Sequence, residues 1–129
     1  MTQKKTVILI VEDEALLLEA ISRKISKLGH NSISCSSGHE ALKVLKEKTS
    51  KPDAIWLDFY LGDMDGYEFM KEIKAKENSK NIPVAVVSNS ASPEKIKKMA
   101  SLGAEKYFLK AHYRIEEIIS GVNQLIANQ

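Results

Sequence analysis

Acidic residues follow two short apolar segments of the chain. Asp58 ends the run at residues 53–57, and the pair Glu12 and Asp13 follows the run at residues 7–11. If both runs are strands of one parallel sheet, their carboxyl ends open into the same crevice, so the three carboxylates meet there. Like charges at close range repel one another, and such a cluster requires a cation. Carboxylate oxygens suit Mg²⁺, which keeps some of its waters and engages substrate phosphates. The sequence therefore predicts a magnesium site beside Asp58.

The composition is that of one soluble globular domain. The chain has 129 residues, of which 43% are hydrophobic and 28% charged, enough for a core without a disulfide or a structural metal. Cys35 is the only cysteine, which excludes an intrachain disulfide and a zinc site built from several thiolates. The apolar run before Glu12 is too short for a signal-peptide core or a membrane span. We therefore expect a cytoplasmic protein without membrane contact.

The distribution of basic residues argues against nucleic-acid binding. The net charge is +2, Arg23 and Arg114 are the only arginines, and the lysines are spread among acidic residues. Nucleic-acid-binding domains favour clustered Arg and Lys with interleaved aromatic residues, so direct DNA binding is not expected. The histidines His30, His39 and His112 lack the spacing of metal ligands, and we expect them at the surface.

Apolar strand-like runs alternate with amphipathic stretches along the chain. The predicted strands are 6–11, 31–35, 53–58, 83–88 and 106–109, and the predicted helices are 14–28, 38–47, 66–77, 93–102 and 113–127. Five such βα units predict an α/β fold with a parallel sheet covered by helices on both faces. Right-handed crossovers favour the flavodoxin-like, doubly wound (βα)5 arrangement in strand order 2-1-3-4-5. Periodicity alone does not give the strand order, but this order makes the first and third strands neighbours.

Local signals support several helix ends. Ser37 and Ser92 are predicted N-caps, and Pro93 is predicted at the first helical position. Gly29 is predicted to end the first helix, whose apolar side is predicted from residues at helical spacing between Leu16 and Leu28. Trp56 is expected to pack in the core rather than to bind a ligand.

Taken in order along the chain, these residues resemble the bacterial response-regulator receiver domain over essentially the full length. Glu12 and Asp13 match that family's acidic pair, and Asp58 matches its phospho-acceptor. Further matches are a Met-Asp-Gly turn, a hydroxyl residue ending the fourth strand, an aromatic residue in the fifth strand and a lysine at its end: Met64-Asp65-Gly66, Ser88, Tyr107 and Lys110. Each element alone is weak, but their order and spacing together are specific.

The resemblance implies a role for each of these residues. Asp13, Asp58 and the backbone carbonyl of Tyr60 would bind Mg²⁺ directly, and Glu12 would act through water. Asp58 would accept a phosphoryl group from a sensor histidine kinase or a phosphotransfer protein. The remaining site residues would respond to it: Lys110 by pairing with Asp58 and then the phosphoryl oxygens, Ser88 by donating its hydroxyl, and Tyr107 by turning inward as the switch.

Three residues depart from the family pattern. Gly62 stands where many members carry proline, which should loosen the loop after Asp58. Asn89 follows Ser88 where a small residue is usual, and it could narrow access to Asp58. Ala111 follows Lys110 where a cis proline is usual, and a cis bond before a non-proline residue costs about 2.5–4 kcal/mol. We hypothesise that Lys110 still reaches the site.

The leading functional prediction is a signalling switch. The chain stops after the fifth predicted helix, so we expect a single stand-alone receiver domain over residues 1–129, without an output domain, that catalyses nothing beyond its own phosphorylation and dephosphorylation. It would signal to an unknown protein through its fourth helix, fifth strand and fifth helix, including Lys95, Lys98, Tyr107 and Tyr113. The alternative is a pseudo-receiver binding module that is not phosphorylated, which Asn89 and Ala111 favour. A flavodoxin-like enzyme or nucleotide binder is disfavoured because acidic residues stand where a phosphate-binding loop would be.

Overall fold

The computed structural model describes residues 5–47 and 51–129. Its five strands form one parallel sheet in the order β2-β1-β3-β4-β5, as predicted. The strands are β1 Val7–Val11, β2 Asn31–Cys35, β3 Ala54–Leu57, β4 Val84–Ser88 and β5 Lys106–Leu109. Strands and helices alternate along the chain. In the strand order of the sheet, β1 and β3 are neighbours.

Within the described residues, four of the five α-helices connect successive strands, and the fifth follows the last strand. The helices are α1 Ala15–Lys27, α2 Gly38–Lys46, α3 Gly66–Lys74, α4 Pro93–Ser101 and α5 Ile115–Ala127. A 3₁₀ turn, Lys110–His112, lies between β5 and α5. Within the described residues, no helix is both long enough and apolar enough to cross a membrane.

Alternate residues of the central strands contribute to two separate apolar cores. On one side, Leu9, Leu57 and Val86 pack with the buried side chains of α2 and α3 and with Met99 of α4. On the other side, Ile8, Trp56 and Val87 pack with the buried side chains of α1 and α5. Because side chains alternate across a strand, fully buried strands read as continuous apolar runs, which explains the sequence pattern. Trp56 is 1% exposed, which confirms its predicted packing role.

The predicted helix starts are confirmed at α2 and α4. The hydroxyl of Ser37 accepts a hydrogen bond from the Glu40 amide, and that of Ser92 accepts one from the Lys95 amide. Helix α1 ends just before Gly29, whose φ of +89° is the left-handed conformation that favours glycine.

Two helix ends differ by two or more residues from their predicted positions. Helix α3 ends at Lys74 rather than continuing to 77, and the Ser79 hydroxyl binds the Ile73 carbonyl at 2.6 Å where the chain turns away. Helix α5 begins at Ile115 rather than 113 because the 3₁₀ turn precedes it and the Glu117 carboxylate accepts from the Arg114 amide at 2.9 Å.

Two predictions about individual side chains were wrong. Leu16 was placed on the apolar side of α1 but is 79% exposed, and Leu28 is also exposed, because the buried side of α1 centres on Ile21 and Ile25. His30 was expected at the surface but is half-buried. Its ring nitrogens meet Thr6 Oγ1 and the Asn123 side chain, so this histidine joins the start of β1 to α5.

Candidate functional site

The acidic residues meet because β1 and β3 are neighbours in register. Val11 pairs with Leu57, so Glu12 and Asp58, which follow them, leave the sheet at the same edge. The amide of Asp58 donates to the Val11 carbonyl at 3.0 Å, which extends the ladder to the site itself. The backbone on which both carboxylates stand is therefore fixed by strand pairing.

Three carboxylates converge at this edge. One oxygen from each of Glu12, Asp13 and Asp58 lies within 4.8 Å of the others. Glu12 is 1% exposed and Asp58 is 7% exposed, whereas Asp13 is exposed to solvent. Oxygen donors at this density, with one side open, fit a hard divalent cation that retains water ligands.

Lys110 reaches the site from the end of β5. Its Nζ lies 2.9 Å from Glu12 Oε1 and 3.6 Å from Asp58 Oδ2. All peptide bonds of the described residues are trans, including the bond to Ala111. The hypothesis that Lys110 reaches the site without the cis proline is confirmed. Its nearest partner is Glu12, however, and not Asp58.

Burial and charge shift the protonation of the site. Burial and the neighbouring charge of Glu12 raise the pKa of Asp58 to about 7, although the Lys110 ammonium opposes the shift. Burial acts to lower the pKa of Lys110, but its hydrogen bond to Glu12 and the charge of Asp58 outweigh burial and raise that pKa. Three carboxylates share the site with the Lys110 ammonium, so their number favours binding of a further cation.

Ser88 and Tyr107 lie on the neighbouring strands β4 and β5. Ser88 is the last residue of β4, is buried, and accepts a hydrogen bond from the Ser90 amide at 3.3 Å. Tyr107 is half-buried in β5, and its hydroxyl donates to the Ser90 carbonyl at 2.6 Å. Asn89, which lies between Ser88 and Ser90 in the chain, is exposed. Both predicted switch residues thus contact the loop between β4 and α4.

The loop after Asp58 is held to helix α2. The Asp63 carboxylate accepts from the amides of Gly38 and His39 at 3.0 and 2.9 Å, and it also contacts the His39 ring. Burial opposes ionisation of Asp63, but the backbone donors and the His39 ring together outweigh it and lower the pKa of Asp63. Gly62 has a φ of +81°, which a proline cannot adopt. Glycine at this position therefore specifies a particular turn, which these contacts hold in place.

One feature beside the site has no counterpart in the sequence patterns. The Lys95 ammonium donates to Tyr60 Oη at 2.9 Å and to Ser90 Oγ at 2.8 Å. It also lies 4.4 Å from the centre of the Phe59 ring and 4.6 Å from that of Tyr60. Tyr60 and Lys95 are 35 residues apart, and no motif relates them. The sequence predicts Lys95 only as part of the signalling surface formed by the fourth helix, fifth strand and fifth helix.

A match to a protein-family model over most of the chain shows the family to which this protein belongs. Residues 8–123 match the family described as the response regulator receiver domain. The chain belongs to this family. Receiver domains are the signalling switches of two-component systems rather than classical enzymes, and the resemblance predicted from the sequence is confirmed.

Curated relatives carry this receiver domain within longer proteins. The chain is 32% identical over 105 residues to the alkaline phosphatase synthesis transcriptional regulatory protein PhoP of Bacillus subtilis, covering 80% of the chain and 41% of that protein. It is 29% identical to the sensor histidine kinase CheAY of Helicobacter pylori, covering 82% of the chain and 13% of the relative. It is 25% identical to a gliding motility regulatory protein of Myxococcus xanthus, covering 95% of the chain and 15% of the relative. The receiver domain thus spans less than half of each of these three relatives.

Solved receiver structures share the fold over nearly their whole length. A Francisella response regulator receiver domain superposes with a TM-score of 0.86 at 25% identity, covering 96% of this chain and 98% of that one. The chemotaxis protein CheY4 of Vibrio cholerae gives a TM-score of 0.84 at 23% identity, covering 94% and 98%. A third structure is the receiver domain of the sensor histidine kinase PA1611 of Pseudomonas aeruginosa, with a magnesium ion coordinated in its active site cleft. It superposes with a TM-score of 0.83 at 24% identity, covering 96% of this chain and 99% of that one.

Proposed function

We propose that this receiver domain is a phosphorylation-activated switch that accepts a phosphoryl group on Asp58. The phosphodonor would be a phosphohistidine of a sensor histidine kinase or of a phosphotransfer protein. The observation that carries the proposal is the convergence of Glu12, Asp13 and Asp58 within 4.8 Å, with the Lys110 ammonium 3.6 Å from Asp58. A buried carboxylate beside a lysine ammonium and other carboxylates that can hold a cation is suited to phosphoryl transfer, which depends mainly on positioning and charge neutralisation.

The donor set fits Mg²⁺. Asp13, Asp58 and the Tyr60 carbonyl would hold the ion directly, and Glu12 would act through water. The bound ion would neutralise charge on the incoming phosphoryl oxygens. Support comes from the chemistry of the three carboxylates, one of which is exposed to solvent. A receiver domain of the same fold holds magnesium in its active site cleft.

Asp58 would take the phosphoryl group, and Lys110 and Ser88 would then bind its oxygens. An Asp58 carboxylate oxygen would bond to phosphorus as the bond from phosphorus to the histidine nitrogen breaks, and the imidazole would leave. Lys110 would then exchange part of its contact with Glu12 for a phosphoryl oxygen. Ser88 would release the Ser90 amide and donate its hydroxyl to another phosphoryl oxygen. These are small local moves, as expected of a switch that biases two existing conformations.

Output would pass through Tyr107 to a protein partner. If Ser88 moves towards the phosphoryl group, it vacates space beside β5, and Tyr107 could turn inward and lose its bond to the Ser90 carbonyl. That change would alter the surface formed by α4, β5 and α5, where Lys98 and Tyr113 are exposed. We propose this surface as the site where a downstream protein distinguishes the two states.

Phosphorylation by acetyl phosphate tests the proposal directly. The wild-type protein, incubated with acetyl phosphate and Mg²⁺, should gain one labile phosphate that intact-mass spectrometry and phosphate-affinity gels detect. Asp58→Asn should gain none, and EDTA should prevent the gain. Asp13→Asn keeps the acceptor and removes one metal ligand, so it should be phosphorylated more slowly. Phosphate retained in Asp58→Asn would contradict the proposal.

A pseudo-receiver is the second candidate, because Lys110 contacts Glu12 more closely than Asp58. In that case the Glu12–Lys110 pair would be a permanent structural ion pair, and the domain would bind its partner without phosphate. Absence of both Mg²⁺ binding and phosphorylation would favour this function. Mg²⁺ binding without phosphorylation by acetyl phosphate would instead indicate restricted access to Asp58 or a requirement for the protein's own kinase.

A further inference from the structure

Two loops begin beside each other at the edge of the sheet where Asp58 lies. The loop between β3 and α3 carries Tyr60, two residues after Asp58, and the loop between β4 and α4 carries Ser90, two residues after Ser88. Asp58 is only 7% exposed. Little of the carboxylate is open to solvent, so the position of these loops can limit access to it.

Lys95, in the first turn of α4, joins the two loops. Its ammonium donates to Tyr60 Oη at 2.9 Å and to Ser90 Oγ at 2.8 Å. The same nitrogen lies over the rings of Phe59 and Tyr60. Phe59 is 2% exposed and fixed in the core, so one side of the contact rests on a rigid group. We call this set of contacts among Lys95, Tyr60 and Ser90 the Lys95 bridge.

The bridge combines two kinds of interaction that reinforce each other. A charged donor makes stronger hydrogen bonds than a neutral one, and an ammonium over an aromatic face gains further electrostatic attraction. Lys95 is half-buried, whereas Lys97 and Lys98 of the same helix are exposed. The edge-to-face contact of Phe59 with Tyr60, with ring centres 4.7 Å apart, holds the Tyr60 ring in place beneath the ammonium.

We propose that Lys95 is a positioning residue that holds these two loops together and thereby limits access to Asp58. The inference rests on the proposed phosphorylation of Asp58 and adds a residue that controls how fast the phosphoryl group is gained and lost. The bridge would slow entry of a small phosphodonor and also slow hydrolysis of the phospho-form. In that hydrolysis, a water oxygen bonds to phosphorus and the bond from phosphorus to the Asp58 oxygen breaks. Inorganic phosphate leaves, and the carboxylate is restored.

The Lys95 bridge and the proposed switch residue Tyr107 both contact Ser90. Ser90 is held twice, by Lys95 at its hydroxyl and by Tyr107 at its carbonyl. If phosphorylation turns Tyr107 inward, the second contact is lost and the first remains. The Lys95 bridge would then be the main side-chain restraint on Ser90 in the phospho-form, and it would set the lifetime of the signal.

Lys95→Met tests the proposal, with Lys97→Met as its matched control. Methionine keeps the length and apolar character of the stem but removes the donors and the charge. In Lys95→Met, the rates of phosphorylation by acetyl phosphate and of spontaneous loss of phosphate should both rise by roughly three- to tenfold. Lys97→Met loses the same charge one turn from the loops and should keep wild-type rates. Lys95→Arg keeps a charged donor over the rings and should lie nearer to wild type than Lys95→Met.

The direction of the change in phosphorylation rate distinguishes a positioning role of Lys95 from attraction of an anionic phosphodonor by its charge. If Lys95 acted only by attracting an anionic donor, its loss would slow phosphorylation rather than speed it. Ser90→Ala removes one acceptor of the bridge, so combining it with Lys95→Met should add less than the sum of the two single effects. Wild-type rates in Lys95→Met, or slower phosphorylation, would overturn the proposal.

Hydrogen exchange distinguishes failure of the bridge from failure of the proposed function. In the unphosphorylated protein, amides of the loop at residues 89–92 should exchange faster in Lys95→Met than in Lys97→Met. If the wild-type protein neither binds Mg²⁺ nor takes phosphate but this difference in exchange is present, phosphorylation of Asp58 is wrong and the contact between the two loops stands. If the wild-type protein is phosphorylated and neither exchange nor rates differ, the bridge is wrong and the switch stands.

Discussion

The Lys110 ammonium donates to Glu12 Oε1 at 2.9 Å across 98 residues of sequence. This pair joins the end of β5 to the end of β1, two strands separated in the sheet by β3 and β4. Glu12 is 1% exposed, and its other carboxylate oxygen accepts from the Glu14 amide at 3.0 Å. The pair therefore fixes the position of Lys110 before any phosphoryl group or cation binds.

Removal of Lys110 should destabilise the domain as well as impair phosphorylation. In Lys110→Met the buried Glu12 carboxylate loses its ammonium partner while Asp58 remains beside it, and breaking such a pair should cost about 3 kcal/mol. Urea denaturation at pH 8 with EDTA measures the change, with the exposed Lys106→Met in β5 as control. Adding Glu12→Gln should recover part of the loss. Equal stability of Lys110→Met and Lys106→Met would show that the pair contributes nothing.

Asp58 should make the metal-free domain less stable as pH rises towards neutrality. Its folded pKa is raised, to about 7 from 3.8, by burial and by Glu12, so the folded state holds this proton more tightly than the unfolded state. The unfolding free energy therefore falls between about pH 4 and pH 7. Asp58→Asn does not titrate, so its stability gain over wild type should be larger at pH 8 than at pH 4.5 by about 1–3 kcal/mol. Chemical denaturation in EDTA tests this, and a gain independent of pH would contradict it.

The same protonation should control magnesium affinity. The ion requires the ionised carboxylate, so it competes with the proton on Asp58. With a pKa of about 7 in the metal-free site, caused by burial and Glu12, affinity should rise by about tenfold from pH 6 to pH 8. Isothermal titration calorimetry at the two pH values gives both affinities. A constant affinity would mean that Asp58 is already ionised at pH 6 or is not a ligand.

Strand ends explain why much of this site could be predicted from the sequence. In a parallel sheet the residue after each strand lies at one edge, so Glu12, Asp58 and Lys110 meet once the strands are assigned. The assignment itself was strong because buried parallel strands are continuous apolar runs. The preference of Lys110 for Glu12 could not be predicted, since it depends on side-chain distances that differ by less than one ångström.

Other features depend on contacts that no local pattern encodes. Helical spacing showed that Leu16 shares a face with apolar residues of α1, but not where the buried part of that face ends. The end of α3 depends on the Ser79 hydroxyl reaching back to Ile73. The contact between Lys95 and Tyr60 joins residues 35 positions apart through side-chain atoms alone. Such features follow from tertiary packing, and the sequence pattern carried no signal for them.

Gly62 should not tolerate the proline that many family members carry at this position. Its φ of +81° lies far from the value near −65° that a proline ring imposes, so Gly62→Pro must rebuild the turn. That turn is closed by the bond from the Leu61 amide to the Met64 carbonyl and is anchored through Asp63. Urea denaturation should show a loss of about 2 kcal/mol or more in Gly62→Pro, against about 1 kcal/mol in Gly62→Ala, which must also adopt a positive φ.

Magnesium affinity gives a second measure of the same substitution. The turn begins at Tyr60, whose carbonyl is a proposed metal ligand, and a Cβ on residue 62 would lie 3.6 Å from Asp13 Oδ2. Gly62→Ala makes an ordinary contact there and should retain magnesium binding, whereas Gly62→Pro should weaken it by displacing the backbone of the turn. Wild-type stability and affinity in Gly62→Pro would mean that the loop readily adopts a second conformation with negative φ. The glycine would then loosen the loop rather than specify its turn.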